Sequence, residues 1–388
     1  MEFIKQELAQ LREDNLFRRL RRIDGPQSAW TVMDGKRVLL LASNSYLGLT
    51  AHPALKAAAV AAVERYGTGT GGSRLTTGNF LLHEELETAI AGFKETEAAM
   101  VFNTGYMANL GVISALAGPE DAVFSDQFNH ASIIDGCRLS RAKINVYRHK
   151  DLDHLRQLLR EQQGARRKLI VTDGVFSMDG DIAPLDRIVE IAAAQGALVM
   201  VDDAHATGVL GAQGGGTVQH FGLKGRVHIQ MGTLSKALAS EGGYVAGSRE
   251  MIDYLRNKAR SFVFSTSLPP ADMAAAKAAV GIVLAEPARR GQLWDNVRYL
   301  RAGLTALGFT LLPGETPILP LMLGDAGLTM RMAEHLLAQG VFAPGIRPPT
   351  VPPGSSRIRI TVMATHNRAD LDVALAAFKN AGQAWGII

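Results

Sequence analysis

The stretch Leu198-Val199-Met200-Val201-Asp202-Asp203-Ala204-His205 decides the fold. Its apolar run is too short for an ordinary helix and shows no polar alternation, so it reads as a strand buried on both faces, the kind found in parallel sheets. The same pattern repeats on the N-terminal side. Apolar runs at 98–102, 122–125, 144–147 and 169–172 are separated by helical patterns led by Gly105, His130, Asp151 and Pro184. Two further short strands are expected at 227–231 and 244–246. Strand alternating with helix predicts an α/β fold with a mostly parallel central sheet covered by helices on both faces.

On either side of this repeat the grammar changes. Ile4, Leu8, Leu11 and Leu16 stand near helical spacing and predict an amphipathic N-terminal helix over 4–20, followed by a strand at 38–42. Pro53 opens an alanine-rich helix that runs to about Tyr66. Helices at 250–260, 270–284 and 287–307 lead into strands at 317–323 and 357–362 around a helix at 330–339, and a last helix covers 366–380. The tail therefore reads as a smaller C-terminal α+β unit. The expected division is an N-terminal segment 1–50, a large domain 51–285 and a small domain 286–388.

Composition excludes several classes. Of 388 residues, 47% are apolar and 20% charged, which is ample material for a large core and argues against disorder. Lys plus Arg (41) nearly balances Asp plus Glu (37), and the only like-charge cluster is the short run at 18–22, so a nucleic-acid binder is not expected, while anionic small substrates remain compatible. The single cysteine, Cys137, excludes an intramolecular disulfide and a cysteine zinc cage, and no metal site is expected. A reducing, cytoplasmic setting fits. Residues 1–13 mix charge with apolar side chains and do not read as a secretory signal. The apolar stretches at 191–201 and 273–285 fall short of the roughly 18–20 residues that span a bilayer.

Four local patterns carry chemistry. Gly67, Gly69 and Gly72 spell G-x-G-x-x-G, but a helix precedes them and a loop follows, the reverse of a dinucleotide site. These glycines are expected to allow close backbone approach to a ligand or a neighbouring chain. Asn103, Thr104, Gly105 and Tyr106 form a strand-to-helix turn whose free N–H groups and hydroxyl could hold a phosphate, with an ordinary N-cap as the alternative. Adjacent strand residues face opposite ways, so at most one of Asp202 and Asp203 reaches a ligand at the strand end. Asp203 could equally be a cap or a solvated loop acid; Asp202 fits that reading less well. Lys236 follows an apolar strand among small residues. A lysine able to form a Schiff base, a carboxylate 34 residues earlier and a phosphate cradle earlier still are the parts needed to hold pyridoxal 5'-phosphate.

Gly174-Val-Phe-Ser-Met-Asp-Gly180, Val201-Asp-Asp-Ala-His205, Gly232-Thr-Leu-Ser-Lys236 and Phe264-Ser-Thr-Ser-Leu-Pro-Pro270 resemble the α-oxoamine synthases. These are pyridoxal-phosphate acyltransferases of aminotransferase-like fold (fold type I) that condense an amino acid with an acyl thioester and release carbon dioxide. The resemblance runs from Asn44-Ser-Tyr-Leu-Gly48 onward. Ile346-Arg-Pro-Pro-Thr-Val-Pro352 and Ser356-Arg-Ile-Arg-Ile360 are similar to the members that join L-alanine to a pimeloyl group carried on CoA or acyl carrier protein.

The resemblance implies that Lys236 carries the cofactor and acts as the base, that Asp202 faces the pyridine nitrogen, and that His205 and Ser177 bond the ring hydroxyl. His130 would stack on the ring, a structural helix-capping histidine being the alternative. Thr104, Gly105, Tyr106 and Thr233 would bind phosphate, and a homodimer with its site at the interface would bring Ser265 and Thr266 from the partner subunit. Arg359, with Asn44, would clamp the amino-acid carboxylate; a surface ion pair is the alternative for that arginine. Arg357 is read as lying on the opposite strand face and as structural. Arg21, within the 18–22 cluster, and Arg347 are candidates for the anionic groups of the acyl donor. Ala239 stands where relatives commonly have glycine and Gly215 where they have arginine, both in segments expected to be flexible. Rival readings are the relatives that use glycine and acetyl-CoA, a non-catalytic subunit of a synthase heterodimer, which would lack the lysine kept here, and a nicotinamide oxidoreductase.

Overall fold

The computed structural model describes residues 1–13, 16–18 and 20–388. Helix α1 (Glu2–Glu13) is followed by an antiparallel meander of β1 (Ile23–Asp24), β2 (Trp30–Met33) and β3 (Lys36–Leu40). Asp34 and Gly35 turn the β2–β3 hairpin with φ of 50° and 80°, the left-handed pair that a two-residue hairpin needs. Helices α2 (Pro53–Tyr66) and α3 (Leu81–Phe93) lead to the alternating region. There β4 (Ala98–Phe102), α4 (Gly105–Leu116), β5 (Ala122–Asp126), α5 (Ala131–Ser140), β6 (Lys143–Tyr147), α6 (Leu152–Glu161), β7 (Lys168–Asp173), α7 (Leu185–Gln195) and β8 (Leu198–Asp202) follow in order. A single turn, α8 (Thr217–His220), precedes β9 (Ile229–Thr233) and β10 (Gly243–Gly247).

These strands form one seven-stranded sheet, β4-β10-β9-β8-β7-β5-β6, in which only β10 runs antiparallel to its neighbours. Alternation of side chains explains the unbroken apolar runs. Val123, Leu169, Val171 and Met200 pack with α4 and α5 residues on one face, and Phe124, Ile170, Val199 and Val201 with α6 and α7 residues on the other.

Helices α9 (Arg249–Lys258), α10 (Arg260–Val263), α11 (Pro270–Ala285) and α12 (Pro287–Ala306) connect to the C-terminal part, β11 (Ile318–Gly324), α13 (Ala326–Ala338), β12 (Val341–Phe342), β13 (Gly345–Ile346), β14 (Ser356–Thr361) and α14 (Arg368–Ala384). Strands β11-β14-β13 form an antiparallel sheet, while β12 pairs with β3 and extends the N-terminal meander. One core cluster runs through Leu39, Tyr46, α3, α11, α12 and the C-terminal sheet.

One expectation needs correction here. The N-terminal helix stops at Glu13 instead of reaching residue 20, and none of its residues is buried. Leu16 and Phe17 both donate backbone N–H bonds to Leu11 O, at 2.8 and 2.9 Å, so the chain folds back and Leu16 leaves the helical register. Asp14, Asn15 and Arg19 of the expected helix and arginine cluster lie outside the described residues. Among the glycines of the 67–78 loop, Gly72 makes its close approach within the loop itself. A Cβ there would meet Thr77 Oγ1 at 2.2 Å, and one on Gly78 would meet Gly72 O at 2.0 Å.

Candidate active site

The C-terminal ends of the parallel strands converge on one cavity of about 200 Å³, where open α/β sheets bind ligands. Asp173 ends β7, Asp202 ends β8 and Thr233 ends β9, and the cavity gathers them with Thr104, Gly105, Tyr106, His130, Ser177, His205 and Lys236.

Asp202 is buried and accepts on both oxygens, from Asn109 Nδ2 (2.8 Å) and from Ala204 N (2.9 Å). Its neighbour Asp203 points the other way. It is not a solvated loop acid, because it forms a fully buried ion pair with Lys94 at 2.8 Å; it also meets the N-terminus of the single turn α8, accepting from Thr217 N at 3.2 Å and from Thr217 Oγ1 at 2.5 Å. Burial disfavours the Lys94 charge, but Asp203 and Tyr244 outweigh it and hold the ammonium above its usual pKa. The strand end that presents Asp202 is thus anchored from behind.

Lys236 lies in the turn after β9 with Nζ 3.5 Å from Thr233 Oγ1. Burial lowers its pKa; Asp202 and Asp173 act against that, and Arg359 adds to it. A nucleophilic or basic lysine needs such a shift. His205 is buried and its pKa falls well below the ordinary value, through burial and then the nearby Lys236 and Arg359. Its Nδ1 lies 2.6 Å from the Tyr46 hydroxyl. Burial pushes Tyr46 up to about 12, so the phenol keeps its proton; Nδ1 is nearer to it than its other acceptor, Asn44 Oδ1 at 3.4 Å, and a phenol that donates to Nδ1 leaves the imidazole proton on Nε2.

His130 is a helix cap, the alternative reading of its role. Its Nδ1 caps α5 by accepting from Ser132 N at 3.3 Å, and its ring also lines the cavity. Its backbone N–H donates to Asp173 Oδ2 at 2.8 Å. Asp173 is buried, and burial followed by the adjacent Asp202 raises its pKa far above the usual carboxylate range.

Thr104 is an N-cap, accepting from Met107 N at 3.1 Å, but the turn is more than a cap. A Cβ on Gly105 would lie 2.4 Å from Thr233 Cγ2, so glycine is what lets Thr233 close over the first turn of α4. The N–H groups of that turn have no partner within the helix, and two hydroxyls flank them.

Arg359 is not a surface ion pair. It is 6% exposed, donates from Nε to Ser177 O (2.6 Å) and from Nη2 to Asn44 Oδ1 (3.2 Å), and so joins β14 to the Ser177 loop of the cavity, although neither Arg359 nor Asn44 lines the cavity itself. Arg357 is on the same strand face, not the opposite one, since residues two apart share a face. It reaches the same loop, where Nη1 meets Asp179 Oδ1 at 2.6 Å. Ile358 and Ile360 fill the core on the other side.

Other expected residues lie elsewhere. Ser265 and Thr266 do not line this cavity in their own chain; Asn103 Nδ2 donates to Thr266 O at 2.6 Å. Arg21 is exposed, paired with Asp34 at 3.3 Å, and lines neither this cavity nor the groove of about 560 Å³ where Arg18 and Arg347 meet α1. Ala239 and Gly215, expected in flexible segments, are held. Ala239 adopts a left-handed φ of 52° with its N–H on Lys236 O (3.0 Å). Gly215 is buried between Gln219 Oε1 (3.0 Å from its N) and Lys94 Nζ (2.5 Å from its O).

Asn109, Asp173 and Tyr46 are the participants that the sequence reading missed. Asn109 has a signal, being a lone amide inside the apolar α4 run; Tyr46 and Asp173 are given no role by the sequence reading. Among the described residues, no group of His, Cys, Asp and Glu is arranged to hold a metal, and no helix is long and apolar enough to cross a membrane.

Residues 36–378 match the aminotransferase class I and II family. The chain belongs to that family. Its relatives within the aminotransferase class I and II family include an 8-amino-7-oxononanoate synthase of Lysinibacillus sphaericus, 52% identical over 99% of both chains. Another, from Geobacter metallireducens, is 54% identical over 99% of this chain and 98% of its own. Among solved structures, a serine palmitoyltransferase with pyridoxal phosphate superposes with a TM-score of 0.95 at 36% identity, covering 99% of this chain and 98% of that one. An 8-amino-7-oxononanoate synthase of Francisella tularensis gives 0.76 at 28% identity, covering 90% and 99%. The mostly parallel sheet with a smaller C-terminal part, expected from the strand–helix repeat, is the fold of these neighbours.

Proposed function

We infer that the protein is an 8-amino-7-oxononanoate synthase, a pyridoxal-phosphate-dependent acyltransferase of biotin biosynthesis that joins L-alanine to a pimeloyl thioester with loss of carbon dioxide. The observation that carries the chemistry is one cavity holding a buried lysine of lowered pKa and a buried carboxylate with an N–H donor on each oxygen. Relatives about half identical along the full chain fix the reaction within the family.

The residues present fit the cofactor. Gly105 leaves room that a side chain would fill, under Thr104 and Thr233 hydroxyls and free N–H groups suited to a dianionic phosphate. When bound, pyridoxal phosphate supplies an aromatic electron sink for the pair left by a departing proton or carbon dioxide. Asp202 would keep the pyridine nitrogen protonated. Lys236 would be the attachment point and, with its amine free, the base for the α-proton of alanine. His205, through Nε2–H, and Ser177 would bond the ring oxygen, and His130 would lie against the ring. Arg359, steadied by Asn44 and Ser177 O, offers its remaining N–H groups to the alanine carboxylate and thereby orients the bond to be broken. In a homodimer, Ser265 and Thr266 of the partner subunit complete the phosphate site. Arg347 and Arg18, which share the groove beside α1, are the candidates for the anionic groups of the donor, CoA or acyl carrier protein, and a cytoplasmic setting is consistent with these substrates.

Turnover of L-alanine with pimeloyl-CoA and with pimeloyl-acyl carrier protein, compared with glycine and acetyl-CoA, tests the reading. Mass detection of 8-amino-7-oxononanoate is expected. Preference for glycine and acetyl-CoA would overturn it.

A further inference from the structure

Behind the cavity walls lies a charged cluster that this chemistry does not use. His149 sits in the turn between β6 and α6, with Nδ1 2.9 Å from Asp126 Oδ1 and Nε2 3.0 Å from Asp181 Oδ2. Ionised carboxylates only accept, so both ring nitrogens donate and the ring is an imidazolium. Phe128 stacks on it at 4.6 Å and Phe176 meets it edge-on at 4.4 Å. The charged groups facing it are Asp126 from β5, Asp181 from the loop after β7, and Lys150 beside it, whose Nζ lies 2.7 Å from Asp181. Burial works against its charge, but the two carboxylates raise its pKa to about 9.

Each acid shapes a different wall. Asp126 also accepts from Phe128 N and Lys150 N, both at 2.9 Å, and so forms the turn that runs into His130. Asp181 belongs to the loop that carries Ser177, and its backbone oxygen accepts from Phe176 N at 3.0 Å. The other edge of that loop is held by Arg357 and Arg359. Between the two walls, on this side, His149 bridges through its ring alone, and Lys150 beside it spans the same two acids through its backbone N–H to Asp126 and its Nζ to Asp181.

We propose that His149 is a positioning residue, its doubly bonded ring tying the turn that carries His130 to the loop that carries Ser177 and so setting the spacing of the two cavity walls. The inference rests on reading the cavity as a pyridoxal-phosphate site. His149→Phe keeps an aromatic ring between Phe128 and Phe176 but removes both hydrogen bonds. Asp181→Asn keeps the loop's size and removes one charge.

Pyridoxal phosphate affinity, measured by absorbance titration, is expected to weaken about tenfold in His149→Phe, the effect of losing one charge-assisted hydrogen bond net. kcat falls by a similar factor while the KM for the pimeloyl thioester stays within about twofold. The pH profile separates positioning from simple stability. A proton held more tightly in the folded state contributes fully below the ordinary imidazole value of 6.5 and is lost as pH rises through about 9. Wild-type affinity should therefore step down near that pH, His149→Phe should lack the step, and Asp181→Asn should move it to lower pH. If His149→Phe does not fold, the Asp181→Asn shift decides alone. A folded variant with wild-type affinity, kcat and alkaline profile overturns the proposal. Failure of the wild-type protein to take up pyridoxal phosphate would instead overturn the functional reading beneath it.

Discussion

Replacing Tyr46 by phenylalanine removes one oxygen atom from beside the cavity and leaves the ring that packs in the core. The hydroxyl is 2.6 Å from His205 Nδ1 and 3.4 Å from Asn44 Oδ1. Without it, a buried imidazole nitrogen loses its donor, at a cost of about 1–3 kcal/mol for an unsatisfied buried acceptor. The ring can avoid that cost by moving its proton to Nδ1, and Nε2, which the proposed function assigns to the cofactor oxygen as a donor, then becomes an acceptor. Either route charges the loss to the catalytic arrangement, so kcat/KM for alanine should fall roughly fivefold to a hundredfold. Phenylalanine fills the same volume, and the melting temperature should move by only a few degrees. Steady-state kinetics with varied alanine, together with thermal unfolding of the same preparation, measure both quantities. A Tyr46→Phe enzyme with kcat/KM within twofold of wild type and an unchanged melting curve would refute the tautomer argument.

Arg359→Lys forfeits the planar fork that spans Ser177 O and Asn44, and should raise the KM for alanine about tenfold or more, whereas Arg357→Lys, whose partner is Asp179, should leave that KM alone; kinetics on the pair of variants checks this. Lys94→Met leaves Asp203 buried without its counter-charge, which should cost about 3–5 kcal/mol in urea unfolding, and adding Asp203→Asn should restore part of it. Ala239→Gly removes a left-handed alanine; relief of roughly 1 kcal/mol of strain, set against the entropy of a freer unfolded chain, should stabilise by about 0.5 kcal/mol, seen as a higher urea midpoint. A lower midpoint would mean that the Ala239 methyl contributes more through packing than its backbone costs.

The sheet was legible because both of its faces are covered, and burial on two sides turns each strand into a continuous apolar run that stops where the ligand site begins. Lys236 and Asp202 stood out for the same reason, as charged residues at the ends of runs that should exclude charge. What escaped was whatever depended on direction rather than type. Tyr46 is fully buried like any core aromatic, and only the position of its oxygen gives it a role. Leu16 kept the helical spacing, but the chain had already turned back onto Leu11. Arg357 and Arg359 are two apart, and the strand period alone places them together. The antiparallel course of β10 follows from chain length. Nine residues separate Thr233 from Gly243, which allows a return strand but not the dozen or more of a parallel crossover.

That return strand explains why the lysine is where it is. A helical crossover after β9 would carry the chain away over one face of the sheet, whereas the tight return keeps Lys236 directly above the strand ends. Asp173 and Asp202 are register partners on the adjacent strands β7 and β8, so the sheet itself brings two buried acids side by side. They cannot both be charged at that spacing without a large penalty. The surroundings break the tie: burial and the neighbouring Asp202 drive Asp173 to hold its proton, against the His130 N–H that it accepts from, while Asp202 has an N–H donor on each oxygen. In the proposed function the parallel register would thus supply one acid for the pyridine nitrogen and one neutral neighbour that orients the His130 turn, and Lys94 holds Asp203 away, so that of the adjacent pair Asp202 alone lines the cavity.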